Sequence, residues 1–310
     1  LSSLGEVHDL DEEHYRVTVK INRDEGTLTV SDNGIGMTQQ ELERYLCQIA
    51  LSGALDFISK YESADASGKD GGASGIIGHF GLGFYSSFMV SDLVEVETKS
   101  YQDAPAVHWS CGETGEYEIS EGTRETRGTD VIMHITDDEK EYLETAKIRE
   151  ILERYCSFMP VEIYLESESE KKEDDHAQES GECACGHDHE HEDGECACGH
   201  DHDHESGECS CGHDHAEGAK EEPKPINDVH PLWLRPAGEC TEEDYKNFYQ
   251  KLFHDYREPL FWIHINADYP LNFKGILYFP RINTEFDSLE GQVKLYYNQV
   301  FVADNIKEVI

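Results

Sequence analysis

Asp32-Asn33-Gly34-Ile35-Gly36-Met37 is the stretch on which the reading of this chain turns. Asn-Gly is a strong hairpin signal, and a hairpin needs a partner strand to follow. None follows here. Upstream, Arg16 to Asn22 alternates Val17, Val19 and Ile21 with polar residues, and Thr27 to Ser31 does so again after Asp24-Glu25-Gly26, which predicts two paired strands ending at the hexapeptide. Downstream, Thr38 with Glu41 is a capping-box signature, and Leu42, Tyr45, Leu46 and Ile49 recur at helical spacing, predicting a helix over Thr38 to Ala50. Between strand and helix, the two glycines let the backbone come close to something planar. A buried Asp32 can accept a hydrogen bond from an exocyclic amine.

A second glycine cluster lies about 40 residues on. A Gly-, Ser- and Ala-rich stretch from Ser63 to Gly75 leads into Ile76-Ile77-Gly78-His79-Phe80-Gly81-Leu82-Gly83-Phe84, and Tyr85 to Val90 continues without breakers, which reads as a mobile loop feeding a helix. Glycines there leave backbone N–H groups unshielded at the positive end of the helix dipole, an arrangement that holds phosphate. The pattern is neither the dinucleotide G-x-G-x-x-G nor a P-loop with its Lys and Ser/Thr. Leu93 to Lys99, Ala106 to Cys111, Tyr117 to Ser120 and Thr129 to Ile135 read as strands, and Ile148, Ile151, Leu152 and Tyr155 mark one face of a closing helix. Strand Val161 to Leu165 ends this unit. Farther on come a helix capped by Thr241 and backed by Asp244, running to Phe253, and strands at Leu260 to Ile265, Phe273 to Phe279 and Val293 to Val302. His79 and His108 are isolated histidines with no role assigned.

The chain has 310 residues, enough for two moderate domains, and a formal net charge of −41. Such a field repels phosphate backbones and anionic membrane surfaces, so nucleic acid and membrane are not expected partners. From Glu166 to Glu222 there are 21 Asp or Glu against 3 Lys, a composition that cannot bury a core. No run approaches the roughly 20 apolar residues of a membrane span, and no basic-then-apolar leader is present. Of the ten cysteines, Cys47, Cys111, Cys156 and Cys240 are scattered singly, so no disulfide framework is indicated. A cytoplasmic protein is expected.

The two glycine motifs in this order, with Arg127-Gly128-Thr129 on a late strand, resemble the split ATP site of the GHKL ATPases, and within them the chain is most similar to the heat shock protein 90 chaperones. Ile49-Ala50-x-Ser52-Gly53, Gly78-x-Phe80-Gly81-x-Gly83-Phe84-Tyr85-Ser86 and Tyr142-Leu143-Glu144 carry that resemblance. Pro231-Leu232-Trp233, Glu243 with Phe248-Tyr249, and Phe279-Pro280-Arg281 extend it into the chaperones' middle domain and argue against a histidine kinase. The resemblance implies an α/β two-layer sandwich ATPase domain (GHKL/Bergerat type) over residues 1–166, an acidic Cys/His-rich linker over 167–226, and a partial α/β middle domain over 227–310.

It implies that Asp32 takes the adenine amino group, that Gly36, Met37 and Thr129 line the base pocket, and that Ser52 and Gly53 lie at its edge. Gly78, Phe80, Gly81, Gly83 and Phe84 would wrap the phosphates of ATP with its Mg, with Ser63 to Ile77 as part of a lid whose closure is the conformational signal. Leu51 and Tyr45 depart from the pattern, standing where many relatives carry nucleotide-contacting Lys and Asn. The water-activating Glu, the Mg-holding Asn and the middle-domain Arg are expected outside residues 1–310, so this stretch alone is expected to hydrolyse little ATP and no catalytic residue is assigned in it. Unfolded or partly folded client proteins are the implied partners. The parent is expected to be a homodimer and this stretch a monomer.

Gly181-Glu182-Cys183-Ala184-Cys185-Gly186-His187-Asp188-His189 recurs at Gly194 to His202 and, with Ser210 for Ala, at Gly207 to His215, a period of 13 residues. Cys183, Cys185, His187 and His189, Cys196, Cys198, His200 and His202, and Cys209, Cys211, His213 and His215 offer two thiolates and two imidazoles per copy, a donor set that suits tetrahedral Zn, while Cys-x-Cys also suits soft Cu(I). The spacing is tighter than in ordinary structural zinc sites, so a copy would borrow a neighbour's ligands. The alternatives are a solvated linker grown by duplication and a metal-buffering or metal-sensing protein on a nucleotide-binding scaffold. Metal loading is expected to shorten the tether and so limit how the flanking domains dock.

Overall fold

The computed structural model describes residues 15–47, 77–78, 81–167, 223–267, 273–281 and 293–304. Two paired strands open it, β1 (Arg16–Asn22) and β2 (Thr27–Asp32), joined through Gly26 at φ +68. Then follow α1 (Gln39–Tyr45), a 3₁₀ segment Gly83–Met89, β3 (Ser91–Lys99), β4 (Val107–Gly112), β5 (Tyr117–Glu121), β6 (Gly128–Ile135), α2 (Thr145–Tyr155) and β7 (Glu162–Ser167). All seven strands form one sheet in the order β5-β4-β3-β6-β2-β1-β7, antiparallel except where β7 runs parallel to β1.

Register explains which face is covered. Residues directly opposite one another on neighbouring strands share a face. One cross-strand row reads Ile21, Leu28, Met133, Val94, Cys111 and Tyr117, and the next reads Val19, Val30, Val131, Val96, Trp109 and Ile119. Both rows are apolar and lie under the helices. Leu42 of α1, Phe84 and Phe88 pack on Val94, Val96 and Trp109, and Ile148 of α2 packs with Ile21, Leu28, Ile135 and Ile163. Each fully buried side chain of this kind contributes about 1.5–3 kcal/mol. The opposite face carries Lys20, Thr29, Ile132, Glu95, Ser110 and Glu118 in one row, mostly polar, with His134 Nε2 3.4 Å from Glu95 Oε1 and His108 Nδ1 3.0 Å from Glu97 Oε1. The architecture is the two-layer α/β arrangement expected from sequence.

Two local expectations need correction. The capping box on Thr38 forms, with Glu41 N–H on Thr38 Oγ1 and Thr38 N–H on Glu41 Oε2, but within the described residues α1 ends at Tyr45 with Leu46 as its cap. The segment after the second glycine cluster is 3₁₀ and not α-helical. Its serines explain why: Ser86, Ser87 and Ser91 hydroxyls donate to the carbonyls of Gly83, Phe84 and Ser87, competing with the helical ladder.

After the acidic segment the chain re-enters with α3 (Glu242–Phe253), β8 (Phe261–Ala267), β9 (Phe273–Phe279), β10 (Lys294–Tyr297) and β11 (Val300–Asp304). Thr241 and Asp244 close a second capping box. The predicted single strand Val293 to Val302 is instead the hairpin β10–β11, because Asn298 and Gln299 both take positive φ, 48° and 64°, at its two-residue turn. Tyr245 stacks on Trp262 and Tyr249 packs at a tilt on Tyr278, each at 5.0 Å, so α3 lies against the β8–β9 pair.

Glu170–Lys224 separates from the remainder as its own unit, and its Cys/His repeats lie outside the described residues. On either side of it the chain is held. Ile226, which composition places in the linker, donates its N–H to the Ile163 carbonyl at 2.8 Å, and Asp228 N–H reaches the Ser157 carbonyl at 2.8 Å. Phe158, 2 % exposed, sits among Trp233, Phe248 and Tyr296 at centroid distances of 4.6, 5.8 and 5.2 Å. Ser167 at the end of β7 and Ile226 beside Ile163, which flank the acidic segment, thus lie along one strand.

Candidate nucleotide site

The third cross-strand row of the covered face breaks the apolar pattern. It reads Val17, Asp32, Thr129, Thr98 and Val107, so a carboxylate and two hydroxyls sit side by side on three central strands. Thr98 is fully buried and gathers the row together. Its hydroxyl accepts the Met37 N–H at 3.0 Å, lies 3.0 Å from Thr129 Oγ1, and donates to the Gly128 carbonyl at 3.2 Å. With its single proton spent on Gly128, the Thr98 oxygen takes the Thr129 proton, leaving Thr129 Oγ1 as an acceptor.

Asp32 ends β2 at the edge of this row. Its Oδ1 accepts the Gly34 N–H at 2.7 Å. Burial pushes its carboxyl above the usual Asp range, and the Gly34 N–H, the Arg124 charge and the Thr129 N–H pull the other way, while Asp130 adds to the rise. The Asp32 site is thus a half-desolvated acceptor on an otherwise apolar surface. Such a group suits a neutral donor such as an exocyclic amine.

Gly36 takes φ +60, and a Cβ there would stand 1.8 Å from the Lys99 carbonyl oxygen and 3.1 Å from that of Gly128. The turn at Gly36 therefore also packs closely on the ends of β3 and β6, which leaves no room for a side chain there. Ile35 accepts the Tyr101 N–H at 2.8 Å on the same side. Met37 is partly buried against the Leu42–Trp109 cluster. The hexapeptide is thereby moulded onto the sheet's end, with Asp32 and Met37 at its two margins.

Of the phosphate-loop residues, Gly81 takes φ +62 and Gly83 opens the 3₁₀ segment; among the described residues a Cβ at Gly78 or Gly83 would meet nothing within 4 Å. Phe84 turns its ring into the core, edge-on to Trp109 at 5.6 Å, so it offers any ligand its backbone only. Tyr85 ties this segment to the end of α1 through its hydroxyl on the Leu46 carbonyl at 2.9 Å. Ser52, Gly53 and Phe80 lie outside the described residues, as do Cys183 to His215. Among the described residues no three His, Cys, Asp or Glu side chains are placed to hold a metal ion, and no helix is long and apolar enough to cross a membrane.

Thr98 and Arg124 were not singled out from sequence. Thr98 had a signal, since Val94, Val96 and Thr98 alternate onto the covered face. Arg124 had none: it acts on a backbone carbonyl 92 residues upstream.

Residues 141–310 match the family described as Hsp90 protein, and residues 10–140 match the histidine kinase-, DNA gyrase B-, and HSP90-like ATPase family. The chain is 39% identical over its whole length to the chaperone protein HtpG of Bacteroides thetaiotaomicron, covering 38% of that protein. It is 39% identical over 99% of its length to HtpG of Porphyromonas gingivalis, covering 37% of it, and 31% identical over 97% to HtpG of Idiomarina loihiensis, covering 42%. The chain thus spans about two-fifths of the length of these relatives. Its second half carries the Hsp90 match and its first half the match to the HSP90-like ATPase family, on a sheet whose apolar face is interrupted by Asp32, Thr129 and Thr98, and the chain belongs to the Hsp90 protein family.

Proposed function

We propose that this chain is the nucleotide-binding portion of an ATP-dependent chaperone. The observation that carries the reading is the polar row Asp32–Thr129–Thr98 on an otherwise apolar sheet face, in the half of the chain that also carries the glycine-rich segment ending at Gly81 and Gly83. Asp32 accepts the amine of adenine, Thr129 and Met37 line the base, and Ser52 and Gly53 complete its edge. Backbone N–H groups from Gly78 through Phe84 take the phosphates, and Mg accompanies them. ATP supplies the phosphoanhydride whose cleavage drives the cycle; these residues bind and orient it. In the longer protein, which the relatives represent, turnover drives a homodimeric clamp on unfolded client proteins in the cytoplasm.

A thermal melt with and without Mg-ADP tests the binding step. Ligand at 100 times its dissociation constant stabilises by roughly 2.7 kcal/mol, an increase of about 5–10 °C in Tm for a domain of this size. The increase is expected in the unmutated chain and lost in Asp32→Asn. An equal shift in both would remove Asp32 from the site, and no shift in either would count against the nucleotide reading.

A second activity rests on the threefold repeat. With twelve Cys and His donors at a period of 13 residues, the acidic segment binds Zn through ligands pooled between copies. Co(II) substitution is expected to give the intense visible absorption of a tetrahedral thiolate site, abolished when Cys183, Cys185, Cys196, Cys198, Cys209 and Cys211 are replaced by Ser. A colourless Co(II) titration would overturn it.

A further inference from the structure

The nucleotide reading assigns the base to Asp32, which ends β2 between Val17 and Thr129, but leaves unexplained what holds the carbonyls of the turn that begins there. The loop between β5 and β6 answers this. From it Arg124 folds back, its side chain only 13% exposed, and donates from Nη2 to the Asp32 carbonyl at 2.7 Å and from Nε to the Thr126 carbonyl at 3.0 Å, while Nη1 pairs with the Asp130 carboxylate. Arg127 covers the next two carbonyls, with Nη1 at 2.6 Å from Asn33 O and 3.0 Å from Gly34 O. Two guanidiniums therefore hold three consecutive carbonyls of the turn that carries Asp32.

Space for this contact is built in at Gly128. Its φ is +124, and a Cβ there would stand 2.1 Å from the Asp32 carbonyl oxygen and 2.6 Å from Arg124 Nη2. The glycine between Arg127 and Thr129 is thus needed for Arg124 to reach across β6. A surface arginine that made only exposed ion pairs would need no such gap.

We propose that Arg124 is a positioning residue for base recognition: anchored on Asp130, it fixes the Asp32 carbonyl and so the direction in which the Asp32 carboxylate faces the pocket. The inference rests on the nucleotide reading above. Its charge also acts on that carboxylate. Arg124 favours the ionised form against burial and against Asp130, and Arg127 on the neighbouring carbonyls is the other cation on this turn. Gly34 and Thr129 contribute neutral N–H groups, and Thr98 a neutral hydroxyl. Lys at 124 would keep the charge but not the fork that spans Asp32, Thr126 and Asp130 at once.

The test reads the Asp32 carboxyl directly, by carbon NMR over a pH titration of the 310-residue chain without nucleotide, and ADP affinity alongside. Arg124→Ala is expected to move the Asp32 midpoint upward and to weaken ADP on the order of tenfold, the usual consequence of losing a charged hydrogen bond. Arg124→Lys is expected to restore the midpoint while leaving ADP weakened. If Arg124→Ala fails to fold, the Lys variant alone carries the test, and ADP affinity equal to that of the unmutated chain overturns the proposal. An unmoved Asp32 midpoint with unchanged ADP affinity in Arg124→Ala also overturns it. ADP binding no tighter in the unmutated chain than in Asp32→Asn would remove Asp32 from the base site and this role with it, no ADP binding by either would sink the nucleotide reading itself, and the nucleotide-free titration tells both failures from a fault in the Arg124 contact.

Discussion

The Asn227 side-chain carbonyl accepts the Ile163 backbone N–H at 2.8 Å, joining the first residue pair after the acidic segment to the last strand before it. The same side chain donates from Nδ2 to the Met159 carbonyl at 2.8 Å and the Val161 carbonyl at 2.7 Å. One 7 % exposed amide therefore satisfies three backbone groups of the strand entry. Asn227→Ala leaves them without that partner, at about 1–3 kcal/mol for a buried group. A loss of about 2–3 kcal/mol is expected in urea unfolding, with hydrogen exchange at Ile163 accelerated. Asn227→Asp is expected to lose as much, because its carboxylate cannot donate to the two carbonyls. Unfolding midpoints equal to that of the unmutated chain in both variants would show the contact to be incidental.

Because the segment's two ends are fastened at β7, its length should matter little to the rest of the fold. Replacing Glu170–Lys224 by a Gly/Ser joint of about eight residues shortens the loop by nearly three halvings, each worth about 0.6 kcal/mol of closure entropy. Stability is expected to stay level or to rise by roughly 1.5 kcal/mol, with the Mg-ADP shift unchanged. A marked loss of stability would mean that the segment contributes contacts of its own.

Much of this was legible before the structure. Alternation located all seven strands of the sheet, since a half-covered sheet imposes a period of two that runs such as Val94, Val96 and Thr98 display plainly. Both capping boxes were read correctly because Thr38–Glu41 and Thr241–Asp244 bond within one turn, a local event. The failures were of two kinds. Where local chemistry competes, as in the serines after Gly83 or the positive φ of Asn298 and Gln299, periodicity alone chose the commoner element. Where a residue acts at long range, as Arg124 and Asn227 do, nothing in the nearby sequence marks it. Gly36 shows a third limit: the need for glycine was evident, but the Lys99 carbonyl that a side chain there would strike was not.

That last point gives a sharp test. Gly36→Ala would place a methyl 1.8 Å from the Lys99 carbonyl oxygen at φ +60, a clash with backbone that no rotamer change relieves. A destabilisation of about 3 kcal/mol or more is expected, at the upper end of single substitutions. Gly78→Ala, whose Cβ would meet none of the described residues within 4 Å, is expected to leave the unliganded fold within about 0.5 kcal/mol. Chemical denaturation of the two variants side by side separates a structural glycine from one available to ligand. Equal stability of the two would contradict the close packing at Gly36.

The raised Asp32 carboxyl makes a linked prediction about pH. Its ordinary value is 3.8, and burial holds it higher in the folded state, so below 3.8 both folded and unfolded forms are protonated and the residue is neutral to stability. As pH rises past 3.8 the unfolded chain ionises first, and the folded state loses ground until the folded carboxyl has ionised too. Asp32→Asn does not titrate and keeps the acceptor for the Gly34 N–H, so it escapes that loss. Without nucleotide, the Asn variant is expected to gain on the unmutated chain between pH 3.8 and neutrality and to hold the advantage above. With saturating Mg-ADP the order is expected to reverse, since the ligand then stabilises the unmutated chain alone. Denaturation midpoints measured across this range in both conditions decide it: a constant difference with pH would mean that Asp32 is well solvated, and an advantage for the Asn variant that survives nucleotide would mean that the carboxylate is not what the base engages.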